Sequence, residues 1–131
     1  MNSESNNFNK YKYGKIYEII EIDNYGVTKV LYIGSTCRKI EERFKEHLGS
    51  AFYNKDKKYS WKLYKYMRRN GIGYSWHYNI RVYEYYPCKS EEELKKYEYK
   101  IINLENPPFN FIKSYEDEKR IFQILSKKIK F

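Results

Sequence analysis

The residues whose types and spacing could do chemistry are Tyr17, Tyr32, Arg43, His47 and Glu98. Tyr17 and Tyr32 stand in two runs rich in Ile, Val and Tyr. A phenol titrates near pH ~10, so it works as a base only with a cation or a relay to help it. Arg43 and His47 are four apart, which places them on one side of a helix. A guanidinium is a permanent cation whose fork fits phosphate, and an imidazole titrates close to neutrality. Glu98 sits inside an apolar helical stripe, four after Leu94 and four before Ile102. A carboxylate aimed inward must be paired, protonated or bound to metal.

The elements that must position these groups read as follows. Lys15 to Ile22 and Val27 to Ile33 flank the turn cluster Asp23, Asn24, Tyr25, Gly26, as in an antiparallel hairpin. A hairpin symmetric about Asn24 and Tyr25 pairs Tyr17 directly with Tyr32, side by side on one face. Gly34 and Ser35 are expected to end the second strand and bring the backbone close to whatever binds there. From Thr36 to Leu48 the period turns helical, with Ile40, Phe44 and Leu48 as the buried stripe. Ser60 to Asn70 reads as a helix ending at Gly71, with Leu63, Tyr64 and Met67 inward and Lys62, Lys65, Arg68 and Arg69 outward. Tyr74 to Tyr85 alternates as a third strand, with Trp76 on the apolar side and His77 exposed on the polar side. Ser90 and Glu93 form a capping box that starts a helix running to Asn103. Ser114 caps a last helix whose apolar side is Ile121, Phe122, Ile124, Leu125 and Ile129.

Three motifs in this order resemble the GIY-YIG nucleases: KIY at Lys15 to Tyr17, YIGS at Tyr32 to Ser35, and R-x-x-x-H at Arg43 and His47. The later Glu98 with Ile102, then P-x-N at Pro108 to Asn110, is similar to the C-terminal half of that family. The resemblance spans roughly residues 14 to 111. Lys15 stands where the family has its first Gly, and residues 18 to 31 make a long gap between the motif tyrosines. The resemblance implies a small α+β fold, a three-stranded antiparallel sheet flanked by helices. It also implies that Tyr17, Tyr32, Arg43, His47 and Glu98 are catalytic, with Ser35 and Asn110 in support and Glu98 as the metal ligand.

Phosphodiester hydrolysis needs an activated water, a cation for the phosphate and stabilisation of the leaving oxygen. One hard carboxylate suits a single Mg²⁺ (or Mn²⁺) that keeps several waters and binds the phosphate. Two-metal chemistry needs more clustered carboxylates than the sequence provides. Tyr17 is the general base that the resemblance suggests. His47 is a rival base or a relay behind Tyr17, and the sequence leaves that choice open. Ordinary strand packing is the plain alternative for both tyrosines, and an ion pair with Arg or Lys is the alternative for Glu98.

The charge agrees with a polyanionic partner: 26 Lys and Arg against 17 Asp and Glu give +9 and a pI near 9.3. DNA is the expected substrate, with Lys15, Lys62, Arg68 and Arg69 as candidate contacts. Seventeen tyrosines interleaved with lysines suit stacking and phosphate bonding. Two cysteines make no disulfide framework and, with two histidines, no four-ligand zinc site without carboxylates. The polar start MNSESNNFNK reads as no signal peptide, and no run is long enough to span a bilayer. An intracellular setting, cytoplasm or nucleus, follows as the expectation. The chain divides into a polar arm at 1–12, a nuclease-like domain at 13–111 and a basic amphipathic helix at 112–131. The function expected is Mg²⁺-dependent DNA endonuclease. Its rivals are an inactive DNA-binding module of the same fold and an RNA-processing nuclease. One centre cuts one strand at a time, so duplex cleavage calls for a homodimer, a targeting partner or two visits.

Overall fold

The computed structural model describes residues 9–129, with side chains through Lys127. Of the polar arm, residues 1–8 lie outside the described residues. Lys10–Tyr13 wind into a 3-10 turn capped by Asn9, and Tyr11 packs on the core.

Three strands, β1 (Lys15–Ile22), β2 (Thr28–Thr36) and β3 (Tyr78–Tyr85), form an antiparallel sheet in the order β2-β1-β3. The hairpin turn is closed by Asp23, whose Oδ1 accepts from the amides of Tyr25 and Val27, while Gly26 supplies a φ of 80°. The register differs from the symmetric expectation. Tyr17 lies opposite Gly34, and Tyr32 lies opposite Ile19. The ladder starts with Ile22 opposite Thr28, and a bulge between Ile19 and Ile20 leaves Leu31 as an extra residue on β2. The two tyrosines are therefore diagonal neighbours, still on one face because the offset is even. Gly34 does not end β2, which continues to Thr36.

Among the described residues four α-helices accompany the sheet: α1 (Ile40–Phe52), α2 (Lys62–Arg68), α3 (Glu91–Glu105) and α4 (Tyr115–Ile129), the last packing on α3. Because β2 continues through Thr36, whose Oγ1 takes the Arg38 amide, α1 begins and ends later than its period suggests. Its expected stripe of Ile40, Phe44 and Leu48 is only half-buried. His47, Ser50 and Ala51 are the buried residues. On α2, Leu63, Tyr64 and Met67 point inward as their spacing indicates, and the chain leaves it through Gly71 at a φ of 80°.

The third strand is shorter than the alternation at 74–85 suggests, because Ile72–His77 form a 3-10 turn. That winding reverses two expectations. Trp76 is exposed, and His77 is buried with Nδ1 donating to the Ile22 carbonyl at 2.7 Å between the rings of Tyr74 and Trp76. Ser90 Oγ accepts from the Glu93 amide to start α3, and Ser114 does the same with Asp117 for α4.

One sheet face, carrying Tyr17, Ile19 and Ile80, packs against Ile40 and Phe44 of α1, and Leu31 beside it meets Leu63, Tyr64 and Met67 of α2. The opposite face, with Ile16 and Ile33, packs on Leu94, Ile101 and Ile102 of α3. Among the described residues, no helix is long and apolar enough to cross a membrane.

Candidate active site

Strand β1 and helix α1 bring Tyr17 and His47 together. The Tyr17 hydroxyl is 2.8 Å from His47 Nε2, and His47 Nδ1 is 2.8 Å from the hydroxyl of Tyr64 on α2. All three side chains are at most 1% exposed. A neutral imidazole carries one proton, so it donates to one phenol and accepts from the other. Burial, reinforced by Arg43 and Lys58, pushes His47 down to about 3, which keeps it neutral in this chain of groups. Burial also pushes the Tyr17 phenol up, against the lowering pull of Arg43, and it pushes Tyr64 up to about 12.

Tyr32 packs edge-on against His47, with ring centroids 5.8 Å apart, and burial raises its phenol well above the ordinary value. One helical turn before His47, the Arg43 guanidinium lies 6.0 Å from the Tyr17 ring centroid and pairs with Glu46 at 3.1 Å. The cation thus sits at the mouth of the phenol cluster, partly open to solvent.

Glu98 reaches the site from α3, on the other side of the sheet. It is 3% exposed, so the inward direction read from its stripe is what the fold adopts. Ser35, at the end of the YIGS segment, donates to Oε1, and the Lys95 ammonium lies 3.3 Å from the same oxygen. Lys95 also faces Glu118 of α4 at 3.8 Å. Burial holds the Glu98 carboxyl above its usual range, while Lys95 and Ser35 pull it down.

The two halves approach each other at β2, an edge strand, where Tyr32 shares a cavity with Glu98 that Tyr17, Arg43 and His47 do not line. That cavity, of about 410 Å³, runs along the strand, lined by Tyr32 from one side and Lys95 and Glu98 from the other. Asn110 fixes this edge by pairing with Ile33 twice: its Oδ1 accepts the Ile33 amide at 2.9 Å and its Nδ2 donates to the Ile33 carbonyl at 2.8 Å. The side chain thereby satisfies backbone groups that an edge strand leaves without a partner.

The candidate phosphate contacts are placed less uniformly. Lys62 stands at the cavity lip, 5.1 Å from the Phe111 ring centroid. Lys15 donates to the Arg38 carbonyl. Arg68 caps α1 through the Ala51 carbonyl and lies over Tyr59, while Arg69 covers Tyr66 and pairs with Glu21. Two neighbours of the site were not read from the sequence. Tyr64 looks like any inward residue of α2, because its partner His47 lies on another helix, and Lys95 looks like any surface lysine, although its three-residue spacing from Glu98 already puts the two on one side of α3.

Whether the site fits a divalent ion turns on Glu98. Both Ser35 and Lys95 take Oε1, and Oε2 makes no hydrogen bond among the described residues. Glu98 lines the cavity, so one hard oxygen is available there for a Mg²⁺ that keeps most of its waters. No group of three or more His, Cys, Asp or Glu side chains able to hold a metal occurs among the described residues.

No curated protein and no solved structure matches this chain. Residues 13–115 match the GIY-YIG catalytic domain, a span that contains both tyrosines, the Arg43 and His47 turn, Glu98 and Asn110. Nucleases of this family generally use divalent metal ions. With its three-stranded antiparallel sheet between helices and its match over most of the chain, the protein belongs to the GIY-YIG family and carries a nuclease-type domain.

Proposed function

We propose that the protein is a Mg²⁺-dependent DNA endonuclease in which Tyr17, Tyr32, Arg43, His47 and Glu98 work on one phosphodiester. The observation that carries this reading is the cavity at the β2 edge, which Tyr32 and Glu98 both line. Bound to Glu98, Mg²⁺ or Mn²⁺ would supply Lewis-acid neutralisation of phosphate charge.

The chain's own residues do the rest. Tyr17 is protonated at neutral pH, so it accepts a proton from water only as it releases its own. His47 Nε2, 2.8 Å away, takes that proton only transiently, since burial and Arg43 disfavour its cation, and Nδ1–H directed at Tyr64 holds the tautomer that makes the transfer possible. Arg43 favours the phenolate and presents its fork to the phosphate. Tyr32 orients water or phosphate, Ser35 holds Glu98, and Asn110 fixes the strand on which Tyr32 and Ser35 stand.

Supercoiled plasmid incubated with pure protein and Mg²⁺, with Glu98→Ala in parallel, tests this. Relaxation or linearisation by the wild type alone is the expected result. DNA binding without cutting of plasmid, flapped or single-stranded DNA by either protein would transfer the case to an inactive binding module. Labelled RNA of the same sequence, cut in preference to DNA, would make it an RNA-processing nuclease.

A further inference from the structure

Beyond the reacting groups, the same cavity has an aromatic lip that the hydrolytic chemistry does not use. We propose that this lip binds one unpaired nucleotide of the strand being cut, so that the substrate is DNA with a single-stranded or unstacked position: a flap, fork, gap or free strand. The proposal rests on the nuclease reading and names its substrate class.

Trp61 and Phe111 line the cavity and remain 47% and 60% exposed, so both turn part of a large aromatic surface to whatever enters it. Trp61 is braced by Tyr64, parallel to within 10° at 5.8 Å between centroids, so it is a fixed platform and not a loose side chain. Cations accompany both rings: Lys58 lies 5.0 Å from the Trp61 centroid and Lys62 5.1 Å from that of Phe111. Aromatic faces for bases with ammonium groups for phosphates are the paired chemistry of single-strand binding surfaces.

Size and position narrow the occupant. About 410 Å³ is within the ~300–1,000 Å³ range of pockets that enclose a drug-sized molecule, which is the scale of one nucleotide and far below a duplex. Inside a duplex both faces of a base are covered by its neighbours, so only an unstacked base has a face to offer Trp61. Because Glu98 and Tyr32 line the same cavity, the phosphate attached to a base seated there lies beside the candidate centre.

The test uses Trp76→Phe protein, in which Trp61 is the only tryptophan, without Mg²⁺. Trp76 does not line the cavity. A short single-stranded DNA oligonucleotide should quench Trp61 fluorescence with a midpoint at least about 10-fold lower than a blunt hairpin duplex, the order of one base–aromatic stack. Phe111→Ala, remote from the His47 contacts, should raise the single-strand midpoint by a similar factor without lowering the melting temperature. Equal midpoints for the two DNAs, no quenching, or an unchanged midpoint in Phe111→Ala overturns the pocket. The two readings fail separately. A wild type that cuts paired plasmid and flapped DNA equally, with Trp61 unquenched, keeps the nuclease and loses the pocket. Selective quenching in a protein that cuts nothing keeps the pocket and loses the nuclease.

Discussion

The hydroxyl of Tyr17 lies 2.8 Å from Nε2 of His47, and neither side chain is more than 1% exposed. Since burial pushes His47 down to about 3, the folded protein leaves it neutral at pH 5 while the unfolded chain protonates it. The unfolded state then binds more protons, so stability falls as pH drops below about 6.5, a loss that levels off below the folded value. At pH 5 this amounts to about 2 kcal/mol. Glu98, raised by burial, acts with the opposite sign, so the comparison must be with His47→Gln. Urea unfolding at pH 7 and pH 5 should give the wild type the larger pH-dependent loss; equal losses in both proteins would exclude a buried neutral imidazole.

Gly34 lies directly under the Tyr17 ring, and a Cβ there would be 2.6 Å from its Cζ. Tyr17 cannot swing away without breaking its bond to His47. Gly34→Ala should therefore cost ~1–3 kcal/mol by overpacking and also impair cleavage. Thermal melting and plasmid nicking of the same variant check it. A normal melting temperature with normal nicking would mean that the ring has room to move.

In the proposed mechanism Arg43 acts on charge and does not hold DNA: it sits at the phenol cluster and its ion pair is with Glu46. Arg43→Ala should lower turnover by ~10²–10³ while DNA affinity changes far less, the scale of removing one preorganised donor. Arg43→Lys should restore little, because the fork is lost. Single-turnover rates beside binding titrations decide the matter, and parallel losses would make Arg43 a binding residue.

Glu98→Gln removes the charge that an ion needs while keeping the shape of the side chain, and Lys95 retains Glu118. Cleavage should fall about 100-fold or more, and EDTA should do the same to the wild type. Circular dichroism and DNA binding should stay near wild type. Undiminished nicking by the variant would remove Glu98 from the mechanism.

Asn110→Ala strips two hydrogen bonds from Ile33, a fully buried residue of the edge strand. Leaving those backbone groups without partners should cost ~1–3 kcal/mol and lower the melting temperature by several degrees. Asn110→Asp should recover at most the bond to the Ile33 amide, since a carboxylate cannot donate to the carbonyl. Calorimetry of both variants ranks them.

Local pattern alone determined the hairpin, the α1 turn that carries Arg43 and His47, the Ser90 and Ser114 caps, and the inward aim of Glu98. Each depends on residues within a few positions of one another, where period and side-chain chemistry suffice. Tertiary structure decided the rest. The turn and the Leu31 bulge each moved the register by one residue, together taking Tyr17 from Tyr32 to Gly34, and a 3-10 turn buried His77 where alternation had exposed it. Packing supplied Tyr64 to His47 and Ser35 to Glu98. Pairings across tens of residues are set by how whole helices seat on a sheet, and the charge state of a buried group is set by that seating as well, so neither is written in the spacing of any one segment.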